Sequence, residues 1–101
     1  MSAAQGSFAF SASIQDRFEE FHRDNPRVYQ LLVRFALEAK RAGFQRYSID
    51  CIYHRVRWHV HIETNDPDFK LNDHFTSRYA RKIMAEIEEL SEFFEIRELK
   101  S

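Results

Sequence analysis

Five histidines, one cysteine and a small group of aspartates give this chain its widest chemical range. His59 and His61 stand two apart, so a strand would project both imidazoles from one face, and His54 or His74 would have to complete a metal site. Zinc takes three or four donors in fixed geometry, and cysteine pairs are its commonest structural ligands. Cys51 has no companion and the histidine spacing matches no familiar signature, so no metal is expected. Asp66, Asp68 and Asp73 are close in sequence, but short carboxylates are also what a turn and a helix cap need. HExxH, GxSxG, P-loop and GxGxxG patterns are absent from the sequence. The reading assigns no catalytic residue, no cofactor and no enzymatic activity. Cys51, between Ile49 and Ile52, is expected to be a small buried apolar group rather than a nucleophile.

The stronger signal is cationic. If the chain is helical from His74 to Leu90, then Phe75, Tyr79, Ile83, Ile87 and Leu90 form one apolar stripe at spacings of three and four. The opposite face carries His74, Ser77, Arg78, Arg81 and Lys82, with no carboxylate among them. Arginine and lysine one turn apart can neutralise neighbouring phosphates while Ser77 adds a hydrogen bond. Arg78 or Arg81 could also meet a guanine edge. Arg55 and Arg57 are candidates to extend the patch, as are Arg34, Arg41 and Arg46. A solvated face explains the same residues, with Lys82 pairing to Glu86 at i, i+4.

Net charge does not decide between these readings. It is −1 over 101 residues, yet seven Lys and Arg lie between Arg27 and His61 against Glu38 and Asp50. From Ile83 onward six glutamates stand against Arg97 and Lys100, so the chain is polarised between a basic middle and an acidic end. Acids in that last turn would be repelled by phosphate, which leaves the segment from His74 to Lys82 as the part able to face a nucleic acid. Hydrophobic residues make up 44% of the chain, and glycine and proline number two each, which suits a packed single domain. No run approaches the ~18 apolar residues of a membrane helix, and the first residues lack a signal-peptide pattern. A cytoplasmic, non-membrane protein is expected.

These residues need elements to hold them. Residues 1–13, small and serine-rich, are expected to be a flexible arm, and residues 14–101 a single helix-rich domain. Ser13 with Asp16 has the form of a capping box and opens a short helix to about Arg23. Asn25-Pro26 starts a second helix through Val28, Leu31, Leu32, Phe35 and Ala39, which Gly43 ends. Ser48 caps a third, carrying Ile49, Ile52, Tyr53 and Val56. Trp58, Val60 and Ile62 then alternate with His59, His61 and Glu63 as in a half-buried strand, although a helix continuing to about His61 is the alternative. Residues 65–68 form a turn, and Phe69 to Leu71 return as the second strand of a hairpin. Asn72 or Asp73 caps the long helix, and Phe94 with Ile96 marks a last short strand. The expected fold is therefore α+β: mostly helical, winged-helix or helix-turn-helix-like, with a hairpin ahead of the last long helix and a C-terminal strand. A hairpin in that position departs from the usual winged-helix order. Trp58 and Tyr29 are read as core, with a dimer contact as the other option.

Phe21, Asn25-Pro26, Val28-Tyr29, Arg57-Trp58, Phe69, Leu71-Asn72, Tyr79-Ala80-Arg81 and Phe94 together resemble a group of small uncharacterised proteins encoded by phages and prophages. The resemblance spans roughly residues 18–97. It implies a mobile-element setting, in the cytoplasm of a bacterial host, and a compact single domain; it supplies no catalytic residue or ligand.

The resulting expectation is a phage accessory protein that binds duplex DNA through His74, Ser77, Arg78, Arg81 and Lys82, with Arg55 and Arg57 in support. A homodimer would double the phosphate contacts. The alternative is an inhibitor of a host enzyme or defence protein, gripping a basic partner through Glu88, Glu89, Glu92 and Glu95 with Phe93 as apolar anchor.

Overall fold

The computed structural model describes the backbone of residues 3–66 and 69–95, with side chains from residue 14 onward. Helix α1 runs Ala3–Asp24, α2 Pro26–Arg41, α3 Ile49–Trp58 and α4 Thr76–Glu86. A π-helical turn at His59–Glu63 continues α3 without a break, a 3₁₀ turn at Asp73–Phe75 leads into α4, and another at Glu88–Leu90 follows it. The fold is all-α among the described residues, where the sole β pairing is an isolated parallel bridge between Tyr47 and Phe94. This overturns the α+β, winged-helix-like expectation with its hairpin and terminal strand. Ile96 and Arg97, assigned to that strand or its outward face, lie outside the described residues.

The hairpin failed for a definite reason. Ser48 caps α3 well, its hydroxyl accepting from the amides of Asp50 at 3.1 Å and Cys51 at 3.4 Å, and nothing stops the helix at Arg57. Residues two apart on a helix lie on nearly opposite sides. Val60 is accordingly buried, whereas Trp58 and Ile62 are 57% and 59% exposed. Alternation of polarity thus came from a helix showing apolar residues on two sides, and the core role expected of Trp58 does not hold. The π turn is set by the Thr64 amide reaching the His59 carbonyl at 2.8 Å, with the Thr64 hydroxyl donating to the Val60 carbonyl at 2.8 Å. Asn65 then takes a left-handed φ of 54° and ends it. Phe69 to Leu71 follow as irregular chain with no ladder partner.

Helix α2 matches its sequence signals. Asn25 and Pro26 open it, and Val28, Leu31, Leu32 and Phe35 are buried. Gly43 at φ 113° lies where L side chains are strained, which lets the chain turn away after Arg41. Helix α1 begins at Ala3, so Ser13 lies inside it rather than at its cap. Helix α4 is shorter than the expected His74–Leu90 helix. Its last turn holds no basic residue to meet the dipole, and three glutamates crowd residues 86–89. Ile87 goes extended at φ −109° and ψ 103°, and Leu90, Phe93 and Phe94 then fold back into the core. That core draws on every helix, from Phe18 through Leu32, Phe35, Ile52, Tyr53 and Val60 to Tyr79 and Ile83.

Candidate nucleic-acid interface

The start of α4 is held from two sides. The Asn72 side chain accepts from the His74 amide at 2.8 Å, the expected cap. The Tyr53 hydroxyl donates to the Asn72 carbonyl at 3.2 Å, and Arg57 reaches Asp73 at 2.7 Å, so α3 is tied to the same turn. From α1, the Phe18 ring packs edge-on against Tyr79 at 4.8 Å and Phe75 at 5.6 Å. Fixing Phe75, Tyr79 and Ile83 inward leaves His74 and Arg81 exposed, with Ser77 and Arg78 half-buried at the edge toward α1. Arg78 Nε donates to the Gln15 side chain at 3.0 Å, a neutral partner that leaves the guanidinium charge uncompensated by that bond.

An open groove of about 670 Å³ runs between α1 and residues 70–78. Arg17, Lys70, His74 and Arg78 line it, and Glu20 and Asp24 lie on its α1 side. Arg78 also lines a second cleft of about 350 Å³ with Arg81 and Lys82. Arg17 and Lys70 were missed by the sequence reading. Arg17 is distant from Arg78 along the chain, and no local pattern could have joined the two; Lys70, eight residues before Arg78, lies ahead of the helix on which the cationic face was read.

Two expected members of the patch are engaged elsewhere. Lys82 is held by Glu86 at 2.7 Å, the i, i+4 pair, and the Tyr29 hydroxyl donates to the same carboxylate at 2.6 Å. Those two hydrogen bonds keep the Glu86 carboxyl below its ordinary range. Arg55 lies over the Phe35 ring at 4.3 Å and pairs with Glu63 at 3.2 Å, on the flank of α3 that faces α2. Of the seven cationic-face candidates, His74, Ser77, Arg78 and Arg81 gather along α4, and Arg57 joins their edge through Asp73.

The remaining chemical candidates disperse. His59 Nδ1 meets Glu63 at 2.8 Å against α2, while His61 is exposed on another side of the turn. The expectation of a shared strand face for the two imidazoles fails with the strand. Among the described residues no group of three His, Cys, Asp or Glu side chains is placed to hold a metal ion. Asp66 pairs with Arg27 at 3.3 Å, and Asp68 lies outside the described residues. Cys51 is exposed, not buried as expected. At the acidic end Glu88, Glu92 and Glu95 are exposed, and Glu89 takes a two-pronged grip from Arg41 at 3.1 and 3.2 Å. Phe93 is only 1% exposed, so it cannot anchor a partner.

Beneath the second cleft sit two buried polar atoms, His22 Nδ1 and the Tyr79 hydroxyl, with no hydrogen-bond partner. Desolvation, reinforced by Lys82, holds the His22 pKa below the ordinary 6.5, although Glu86 opposes the shift. Tyr29 of α2 completes its surroundings at 5.1 Å between ring centroids. Below pH 6.5 the unfolded chain then binds a proton that the folded chain refuses. Stability from this group is complete above 6.5 and is lost as pH falls toward the folded value. Urea midpoints measured from pH 7.5 to 5 should fall for the wild type, and His22→Phe should flatten the profile. Equal slopes in the two proteins would remove His22 as the cause. The Glu86 contribution lies lower, since its carboxylate is lost only below its ordinary 4.5.

No protein-family model, curated protein or solved structure matches the chain. No helix among the described residues is long and apolar enough to cross a membrane.

Proposed function

We propose that this chain is a phage or prophage accessory protein that binds duplex DNA through the start of α4 and the groove beside α1, in a binding rather than a catalytic role. The observation that supports the reading is the convergence of Arg17, Lys70 and Arg78, together with His74, on one open groove whose α1 side also carries Glu20 and Asp24. Arg81 lines the adjoining cleft, whereas Arg57, paired with Asp73 at 2.7 Å, holds the turn ahead of α4 rather than adding a free charge. The mobile-element setting is the one that the sequence resemblance implies. The mode of contact differs from the helix-turn-helix expectation. With α1 lying along one side of α4, the cations suit phosphates approached across a surface better than a helix pushed into the major groove. Sequence preference is accordingly modest, and affinity is electrostatic.

Retardation of a duplex at low salt tests this directly. If four phosphates are neutralised, log affinity should fall against log salt with a slope of about −3.6. Arg78→Ala with Arg81→Ala should make that slope shallower by about 1.8. Circular dichroism of the double variant guards against loss of the Gln15 contact. Absence of retardation for any duplex at low salt would end the proposal. The alternative of a basic protein partner rests on the exposed Glu88, Glu92 and Glu95 alone, because its apolar anchor lies in the core.

A further inference from the structure

The groove between α1 and residues 70–78 is cationic at one end and mixed in charge at the other. Arg17 and Arg78 mark the first end, since the bond from Arg78 Nε to Gln15 at 3.0 Å fixes the guanidinium beside that part of α1. Arg17 has no ion pair among the described residues, and the Gln15 partner of Arg78 is neutral. Asp24, Asn25 and Lys70 mark the other end. There Arg27, over the Phe69 ring at 5.5 Å, holds the chain just ahead of Lys70 near the junction of α1 and α2. Phe21 and Phe75, 5.5 Å apart between ring centroids, line the stretch between the two ends. Glu20, one turn beyond Arg17, repels an anion from that stretch, so a phosphate is confined to the Arg17 end.

We propose that the groove takes one unpaired nucleotide of the bound DNA: its phosphate at Arg17 and Arg78, its base on the apolar stretch of Phe21 and Phe75, and the exocyclic amine of that base on Asp24. Seven residues of α1 separate Arg17 from Asp24, a rise of about 10 Å, which is the span of one nucleotide from phosphate to base edge. The volume of about 670 Å³ is ample for it. A carboxylate opposes a duplex backbone but accepts from the amine of cytosine. Lys70 stands beside it as a donor to the ring acceptors that flank the amine. Asn72 adds its amide NH₂, the side-chain oxygen being taken by the His74 amide at 2.8 Å. Thymine presents a carbonyl oxygen where cytosine presents the amine, and the carboxylate repels it. In a paired nucleotide that edge is already bonded and both faces are stacked, so only an unpaired one fits. The inference rests on the nucleic-acid reading and adds to its electrostatic surface one position at which base identity counts.

Fluorescence anisotropy of three end-labelled duplexes tests this: one fully paired, one with a single unpaired cytosine and one with an unpaired thymine at the same place. The unpaired cytosine should tighten binding about tenfold over the fully paired duplex, and thymine should recover only part of that gain. Asp24→Asn should make cytosine and thymine equal, because an amide offers an acceptor to one and a donor to the other. Asp16→Asn, the same charge change at an exposed position of α1 outside the groove, should preserve the difference. Circular dichroism checks the fold of both variants. Equal binding of the three duplexes overturns the inference and leaves the duplex reading standing. So does a cytosine preference that Asp24→Asn leaves intact. Binding of the unpaired-cytosine DNA without any binding of the paired duplex gives the reverse result, in which the duplex reading falls and the groove assignment stands. Failure to bind any of the three ends both.

Discussion

Phe18→Ala should cost about 3–5 kcal/mol of stability, the range for emptying a buried aromatic site. Phe18 is the one fully buried side chain among the described residues of α1. Its ring meets Tyr79 at 4.8 Å, Phe75 at 5.6 Å and His22 at 6.3 Å, so truncation empties the centre of an aromatic cluster joining α1 to α4. The surrounding rings are held by their own helices and cannot collapse into the space, which puts the cost toward the upper part of the range. Urea unfolding followed by circular dichroism measures it. A loss under about 1 kcal/mol would mean that α1 is not docked as described. The same change should weaken duplex binding, since Arg17 and the Gln15 partner of Arg78 both ride on α1.

Phe93→Ala should be similarly destabilising, about 3–5 kcal/mol, whereas Glu92→Ala and Glu95→Ala should each stay within roughly 0.5 kcal/mol. Phe93 stacks on Tyr47 at 6.4 Å and meets Phe94 at 5.3 Å, and its carbonyl accepts from the Tyr47 amide at 3.0 Å. The flanking glutamates are exposed. Thermal unfolding of the three variants separates the roles. If Phe93→Ala left the midpoint unchanged, the acidic end would recover an apolar anchor and the protein-partner alternative would regain its support.

Local signals in the sequence were legible wherever one residue decides a backbone state. Asn25-Pro26, Ser48 and Asn72 mark real helix starts, Gly43 a real exit, and the 3.6-residue period of α2 and of Phe75, Tyr79 and Ile83 a real buried stripe. Two kinds of information were not local. The alternation from Trp58 to Glu63 has the same appearance for a strand with one wet face and for a helix with an unsatisfied outer ridge, and only the neighbouring elements distinguish them. The continuity of Arg17 with Arg78 depends on how α1 lies across α4, which no window along the chain contains, whereas Lys70 is a near neighbour in sequence that lies outside the helical face defined by the 3.6-residue period. Lys82 shows the reverse case. Its pairing with Glu86 was written in the sequence spacing, and the structure adds Tyr29 from α2 as a third member.

The Tyr47–Phe94 bridge joins parts of the chain that are far apart in sequence. The helices form from neighbours along the chain, but this pairing closes a loop that contains α3, its π turn and α4. Loop-closure entropy grows only slowly with length, by about 0.6 kcal/mol for each doubling, yet it must be met before the contact returns anything. The aromatic side chains of Tyr47, Phe93 and Phe94 supply that return at the seam. The end of the described chain therefore closes the fold over the start of α3, from which the exposed Trp58 ridge is displayed.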